Sequence, residues 1–159
     1  MTLVSQFEQE LLNSGGSPAT VTVSEPPRQL TCDVVESNSL AVSFEQLRLE
    51  TGELATADAA KLERIGKALA SRLTYLMEPI APIEIDAAAC VVQLRSNPPQ
   101  RDDDDRNYYE VMVRRGGEIS LVRYRKENGD ARQPIAATVT REVLSRLVSD
   151  FVAVLEQVS

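Results

Sequence analysis

The chain reads as an α+β protein: an antiparallel meander sheet with two long helices packed on one face, plus a short N-terminal helical arm. Three observations predict this. Apolar residues alternate with period two from Leu30 to Phe44 and again from Tyr109 to Tyr124. They recur at spacings of three and four over Leu62–Leu76 and Val143–Val158. Tight-turn dipeptides, Gly116-Gly117 and Asn128-Gly129, divide the apolar runs. The order that results is α-β-β-α-β-β-β-β-α, with residues 1–28 as arm and linker and residues 29–159 as a single α+β domain. At 159 residues the chain is long enough to sustain one core without disulfides or metals. Aromatic residues are only 4% and Trp is absent, so that core must be built from Leu, Val, Ile and Ala.

The elements follow in order. Ser5 and Glu8 have capping-box spacing, and Phe7, Leu11 and Leu12 give the helix after them one apolar side. Asn13-Ser14-Gly15-Gly16 stops it. Residues 14–28 hold Gly, Ser and three prolines, the composition of a linker, so the first helix reads as a tethered arm that docks on its own domain or a neighbour's. Residues 29–36 and 39–50 form an antiparallel hairpin, and the break in alternation between Phe44 and Leu47 places a β-bulge near Glu45-Gln46. Thr56 or Asp58 caps the next helix, which carries Leu62, Ile65, Leu69, Leu73 and Leu76 on its core side and runs until Pro79. Residues 83–94, apolar on both faces toward the end, read as one central strand. Residues 96–106 form a mobile polar loop.

The next two strands turn at Gly116-Gly117. A two-residue turn there pairs Tyr109 with Tyr124, Val111 with Val122 and Val113 with Ser120. The opposite face then joins Glu110 to Arg123, Met112 to Leu121 and Arg114 to Ile119. Asn128-Gly129 returns the chain as a strand through Ile135 and Ala137, which Pro134 confines to an edge or an irregular path. Thr140 caps the last helix, whose stripe is Val143, Leu147, Phe151, Val154 and Val158, widened by Leu144, Val148 and Leu155.

Function is narrowed mainly by exclusion. The chain has no histidine, which removes His-based nucleophile activation, His-ligated metals and an imidazole titrating near neutral pH. Cys32 and Cys90 are isolated within apolar runs and read as buried thiols in a reducing compartment. Asp102–Asp105 is not an EF-hand loop, because Asn107 and Val113 stand where Gly and Glu are needed. Glu84 and Asp86 share a strand face but lack a third polar group for acid–base work. No metal and no cofactor is expected. A net charge of −7 disfavours generic nucleic-acid binding. The N-terminus has no signal-peptide pattern and no apolar run approaches a membrane span, so the expected location is cytoplasmic, away from membranes.

The feature that points to binding is the hairpin of residues 106–126, with six basic and two acidic side chains. On the register above, Met112, Arg114, Ile119, Leu121, Arg123 and Arg125 share one face. Arginine mixed with large apolar residues is interface composition. A face of that kind is normally covered, which makes these six the expected partner-binding residues, in a homodimer or against another protein. The acidic stretch 28–60, with six acids and two bases, offers complementary charge. The function expected is therefore non-enzymatic protein interaction, as an adaptor or chaperone-like domain. The alternative is a small-molecule-binding domain with a pocket between the sheet and the last helix. In size, acidity and lack of catalytic groups the chain is similar to the bacterial type III secretion chaperones, small acidic α/β dimers whose element order differs from the one read here.

Overall fold

The computed structural model describes residues 2–158. It is a mixed α+β fold of one open ten-stranded antiparallel sheet and three helices. In chain order these are α1 (Leu3–Asn13), β1 (Ala19–Glu25), β2 (Arg28–Ser37), β3 (Ala41–Thr51), α2 (Ala59–Arg72), β4 (Ile80–Asp86), β5 (Val91–Ser96), β6 (Gln100–Asp102), β7 (Asp105–Arg114), β8 (Glu118–Lys126), β9 (Gln133–Ile135), β10 (Ala137–Thr140) and α3 (Arg141–Val158). No described helix is long and apolar enough to cross a membrane.

The sheet is two meanders joined at their inner edges, rather than one. Its order is β1-β2-β3-β8-β7-β5-β4. After β3 the chain crosses through α2 to the far edge, enters as β4 and works back until β8 lies beside β3. β3 and β8 pair only over Leu47–Glu50 and Glu118–Leu121. Beyond that they diverge, and the broken strand β9–β10 fills the gap: β9 pairs with β8 and β10 with β3. Pro134 sits in that broken strand, as its missing donor requires.

One face of the sheet forms the core. The ladder Val23, Leu30, Leu49, Ile119, Val113, Val92 crosses it strand by strand, and Val21, Cys32, Leu47, Leu121, Val111, Leu94 runs parallel to it. All twelve are buried in a single cluster with Leu3, Phe7 and Leu11 of α1, Leu62, Ile65 and Leu69 of α2 and Leu147, Phe151 and Val154 of α3. The space between the sheet and α3 is filled by these side chains.

Several sequence expectations change. Residues 19–25, expected as linker, are an edge strand paired to β2 along its whole length. α1 docks on its own sheet, and its cap is Thr2, whose hydroxyl accepts from the Ser5 amide at 3.1 Å, so the Ser5–Glu8 box is not used. α2 opens at Asp58, whose carboxylate accepts from the Lys61 amide at 2.8 Å, but ends at Arg72, well before Pro79. Leu73 and Leu76 are still buried, reached by an irregular segment that Tyr75 pins to α3 through a 2.7 Å hydrogen bond to Asp150. The expected single strand 83–94 is a hairpin. Ala87–Cys90 form its turn, with Cys90 at φ 54° and the Asp86 carboxylate accepting from the Ala89 amide. The polar stretch 96–106 is partly regular, since β6 folds back on β7 and pairs Arg101 with Arg106.

The bulge near Glu45 is present: Asp33 faces Gln46 and Val34 faces Phe44, so Glu45 has no partner. Val35 is skipped on the other strand one step later, which restores the register. The Asn128-Gly129 turn and the Thr140 cap also form where the sequence placed them.

The β7–β8 register slips by one residue. Arg114 faces Glu118 across a three-residue loop, Arg115–Gly117. The Gly117 amide donates to the Arg114 carbonyl at 3.0 Å, and Gly117 takes φ 103°. A Cβ at Gly117 would meet the Thr51 carbonyl oxygen at 2.4 Å, and the Thr51 amide donates to the Gly117 carbonyl at 2.8 Å. This close approach to β3 selects the longer loop. β7 keeps the faces expected of it, with Val111 and Val113 in the core, and the one-residue slip exchanges the faces of the side chains on β8.

Candidate functional site

The slip divides the six residues expected to form one partner face. Ile119 and Leu121 are fully buried in the core beside Val113 and Val111. Met112 and Arg114 lie on the opposite, open face, where Met112 faces Ser120 and Arg114 makes a 2.9 Å ion pair with Glu118. Arg123 follows Leu121 on the core side at the end of the sheet. It stacks over the Tyr109 ring at 4.4 Å and pairs with Glu78 at 3.0 Å, both partners being about nine-tenths buried. Arg125 lies further out, paired with Asp105 and Glu127. Met112 and Arg114 alone remain together on an uncovered face.

That open face has two halves. Around the β3–β8 junction it is a self-neutralised charge network: Arg48 pairs with Glu50 at 2.8 Å and approaches Glu118 at 3.9 Å, while Arg114 holds the same Glu118. Toward the β6–β7 hairpin it becomes aromatic and basic. The rings of Tyr108 and Tyr124 lie 6.0 Å apart, Arg95 stacks over Tyr108 at 4.8 Å and Arg132 over Tyr124 at 3.9 Å. Between the halves, Glu110 is 3% exposed and accepts from Gln93 and Arg132, so this deep carboxylate is charge-paired. Met112, Val122 and Val91 are half-buried on this face with no helix over them.

The strands arrange this site by simple alternation: Tyr108, Glu110 and Met112 are successive open-face residues of β7, and their cross-strand partners on β8 are Tyr124, Val122 and Ser120. Sequence reasoning found the mixed Arg, Tyr and Met composition. It missed Arg95 and Arg132, which come from β5 and from the loop before β9. Their signal was a lone arginine at the end of an apolar run and another after an Asn-Gly turn.

Other candidate chemistry does not converge. Glu84 and Asp86 are exposed on the edge strand β4, and among the described residues no third ionisable group is hydrogen-bonded to them. Among the described residues no three Cys, Asp or Glu side chains converge as a metal site. Both cysteines are free thiols, and burial pushes the Cys32 thiol up to about 12, which leaves it protonated and unreactive. Burial, and then the hydrogen bond to Asp150, raise the Tyr75 phenol well above its usual range. Tyr75 is therefore a hydrogen-bond donor tying the segment after α2 to α3. Compared with known proteins, the chain matches no family, no curated protein and no solved structure.

Proposed function

We propose that the protein is a non-enzymatic interaction domain, adaptor- or chaperone-like, that holds a protein partner against the open face of its sheet. The observation that carries this reading is one-sided coverage. All three helices pack on the core face, while the opposite face keeps Met112, Val122 and Val91 half-buried beside a Tyr–Arg ladder, with no described helix over them. Apolar and aromatic groups ringed by charge are the composition of a protein-binding surface. The carboxylates of this face support binding over catalysis, since Glu50, Glu110 and Glu118 are each held by arginine. The free edge strand β4, with Ile83 about 40% exposed beside Arg95 and Tyr108, extends the same surface toward a partner. Two unpaired thiols fit a reducing, cytoplasmic setting.

The test is photo-crosslinking in the native cell with p-benzoylphenylalanine placed at Met112, and at exposed Lys67 as control. A discrete adduct at Met112 that is absent at Lys67 is expected, and an adduct of twice the chain mass identifies the partner as a second copy. No adduct at Met112, or equal adducts at both positions, would overturn the reading.

A further inference from the structure

At the hairpin end of the open face the sheet gathers like charges. Arg101, Arg106 and Lys126 stand directly opposite one another on β6, β7 and β8, a rung of three cations on adjacent strands. Like charges in that position are destabilising. Arg95 and Arg132 complete the group, and the five surround a cleft of about 440 Å³ that no described carboxylate lines. Arg132 is engaged by Glu110, and Lys126 donates to the Asp130 carbonyl. Arg95, Arg101 and Arg106 make no ion pair among the described residues, and Arg95 Nε is buried without a hydrogen-bond partner. Tyr108, Ile83 and Pro99 give the cleft apolar walls. In a chain of net charge −7 this concentration of cations is a local exception.

We propose that this cleft is an anion site that takes the carboxylates of an acidic segment of a protein partner. A carboxylate there offsets the repulsion along the rung and suits the paired donors of a guanidinium fork. The surroundings favour a peptide over nucleic acid. Asp103 and Asp104 border the adjoining recess together with Arg101, Arg106 and Lys126, so a backbone charged at every unit meets acids one step beyond the cations. An isolated acidic side chain flanked by apolar ones meets Ile83 and Tyr108 instead. The proposal rests on the reading of the open face as a partner surface, and it adds the chemistry recognised there.

The experiment is fluorescence anisotropy on the purified full chain with a labelled octapeptide of alternating Glu and Leu. The matching Gln–Leu peptide is the control, and inorganic phosphate and an eight-residue oligothymidylate are competitors. The Glu–Leu peptide is expected to bind with an affinity that falls as salt rises. Arg95→Gln and Arg106→Gln should each weaken it at least fivefold, and Asp103→Asn with Asp104→Asn should strengthen it severalfold. Arg106 is exposed, so its variant carries the test if Arg95→Gln does not fold, as judged by circular dichroism. Absent binding, equal binding of the Gln–Leu peptide, undiminished binding by the folded arginine variants, or stronger binding of phosphate or the oligonucleotide would overturn the proposal. Cross-linking at Met112 with no peptide binding rejects the cleft alone. Peptide binding without a Met112 adduct rejects the wider partner surface alone.

Discussion

Leu121 and Met112 sit on neighbouring strands and part company by face alone. Leu121 is fully buried, so Leu121→Asp places an unpaired carboxylate in the core, and the expected result is loss of the folded state. Met112→Asp places the same charge on the half-buried open face, where the fold should survive with a Tm within a few degrees of wild type. Paired thermal melts by circular dichroism decide it; a folded Leu121→Asp protein would restore the alternative register. Gly66 offers a second residue-scale test. A Cβ there would come within 2.9 Å of Val92 Cγ1, a methyl fixed on a β-branched side chain inside the core. Overpacking of this kind costs about 1–3 kcal/mol, against a helix-propensity gain of about 1 kcal/mol for Gly→Ala. Gly66→Ala should therefore lower stability in urea by on the order of 1 kcal/mol. Adding Val92→Ala should give a double variant less destabilised than the sum of the two singles, because the methyl that clashes is the one removed. A glycine inside a helical pattern permits a close approach without naming the neighbour, and the structure shows that Val92 is what approaches.

At the scale of elements, what the sequence revealed depended on whether the local signal was unique. The hairpin of β2 and β3, its bulge at Glu45 and the cap at Thr140 were legible, because alternation, a break in it and an N-cap residue each have one physical meaning. The turn at Ala87–Cys90 was not. It has no Gly, Pro or Asn, and its only cue is Asp86 ahead of three alanines, residues that fit a pleated strand poorly. The Gly116-Gly117 turn was located but its length was not, since two-residue and three-residue loops both use glycine there, and the deciding contact with Thr51 is a tertiary one. The candidate site was divided by the same step, because the face of β8 relative to β7 depends on that single residue. Ion pairs between distant elements were also illegible. Arg28 at the start of β2 forks onto Glu53 at 2.9 and 3.1 Å and reaches Glu156 near the end of α3. The hydrogen bond from Arg28 holds the Glu53 carboxyl below its ordinary 4.5, against a smaller opposing effect of burial. A depressed carboxyl stabilises the fold above its unfolded value and loses that contribution as pH falls through the folded one. Glu53→Gln should thus cost up to about 1 kcal/mol at neutral pH, a modest figure because Glu53 is a third exposed and screened by water. The difference from wild type should shrink as pH drops below 4.5, measured by urea unfolding across the acid range. A gap that stays constant down to the acid limit would mean that the pair contributes no charge-dependent stability.

On the scale of the whole molecule, α1 and β1 test whether the N-terminal residues are an appendage or part of the fold. Their composition, rich in Gly, Ser and Pro after a short helix, suggests a tethered arm. The structure gives the opposite energetic expectation. Leu3, Phe7 and Leu11 are each no more than 3% exposed and lie against Val21 and Val23, the core-side residues of the strand that follows. Burial of one such side chain contributes about 1.5–3 kcal/mol, an upper range because the unfolded chain is itself partly collapsed. Removing all three therefore forfeits on the order of 5 kcal/mol, comparable with the whole stability of an ordinary domain. Deletion also bares Val21 and Val23 on an edge strand, the combination that invites strand-to-strand aggregation. A chain beginning at residue 17 should consequently be insoluble, or soluble only as a loosened state that binds a hydrophobic dye and lacks a cooperative melt. The milder variant Phe7→Ala separates helix loss from gross truncation. It should remain folded and soluble while losing about 3 kcal/mol, the lower end of the range for buried Phe→Ala changes. If the shortened chain instead melts cooperatively within a few degrees of the full one, α1 is a detachable arm, and its apolar side is free to pack on another molecule.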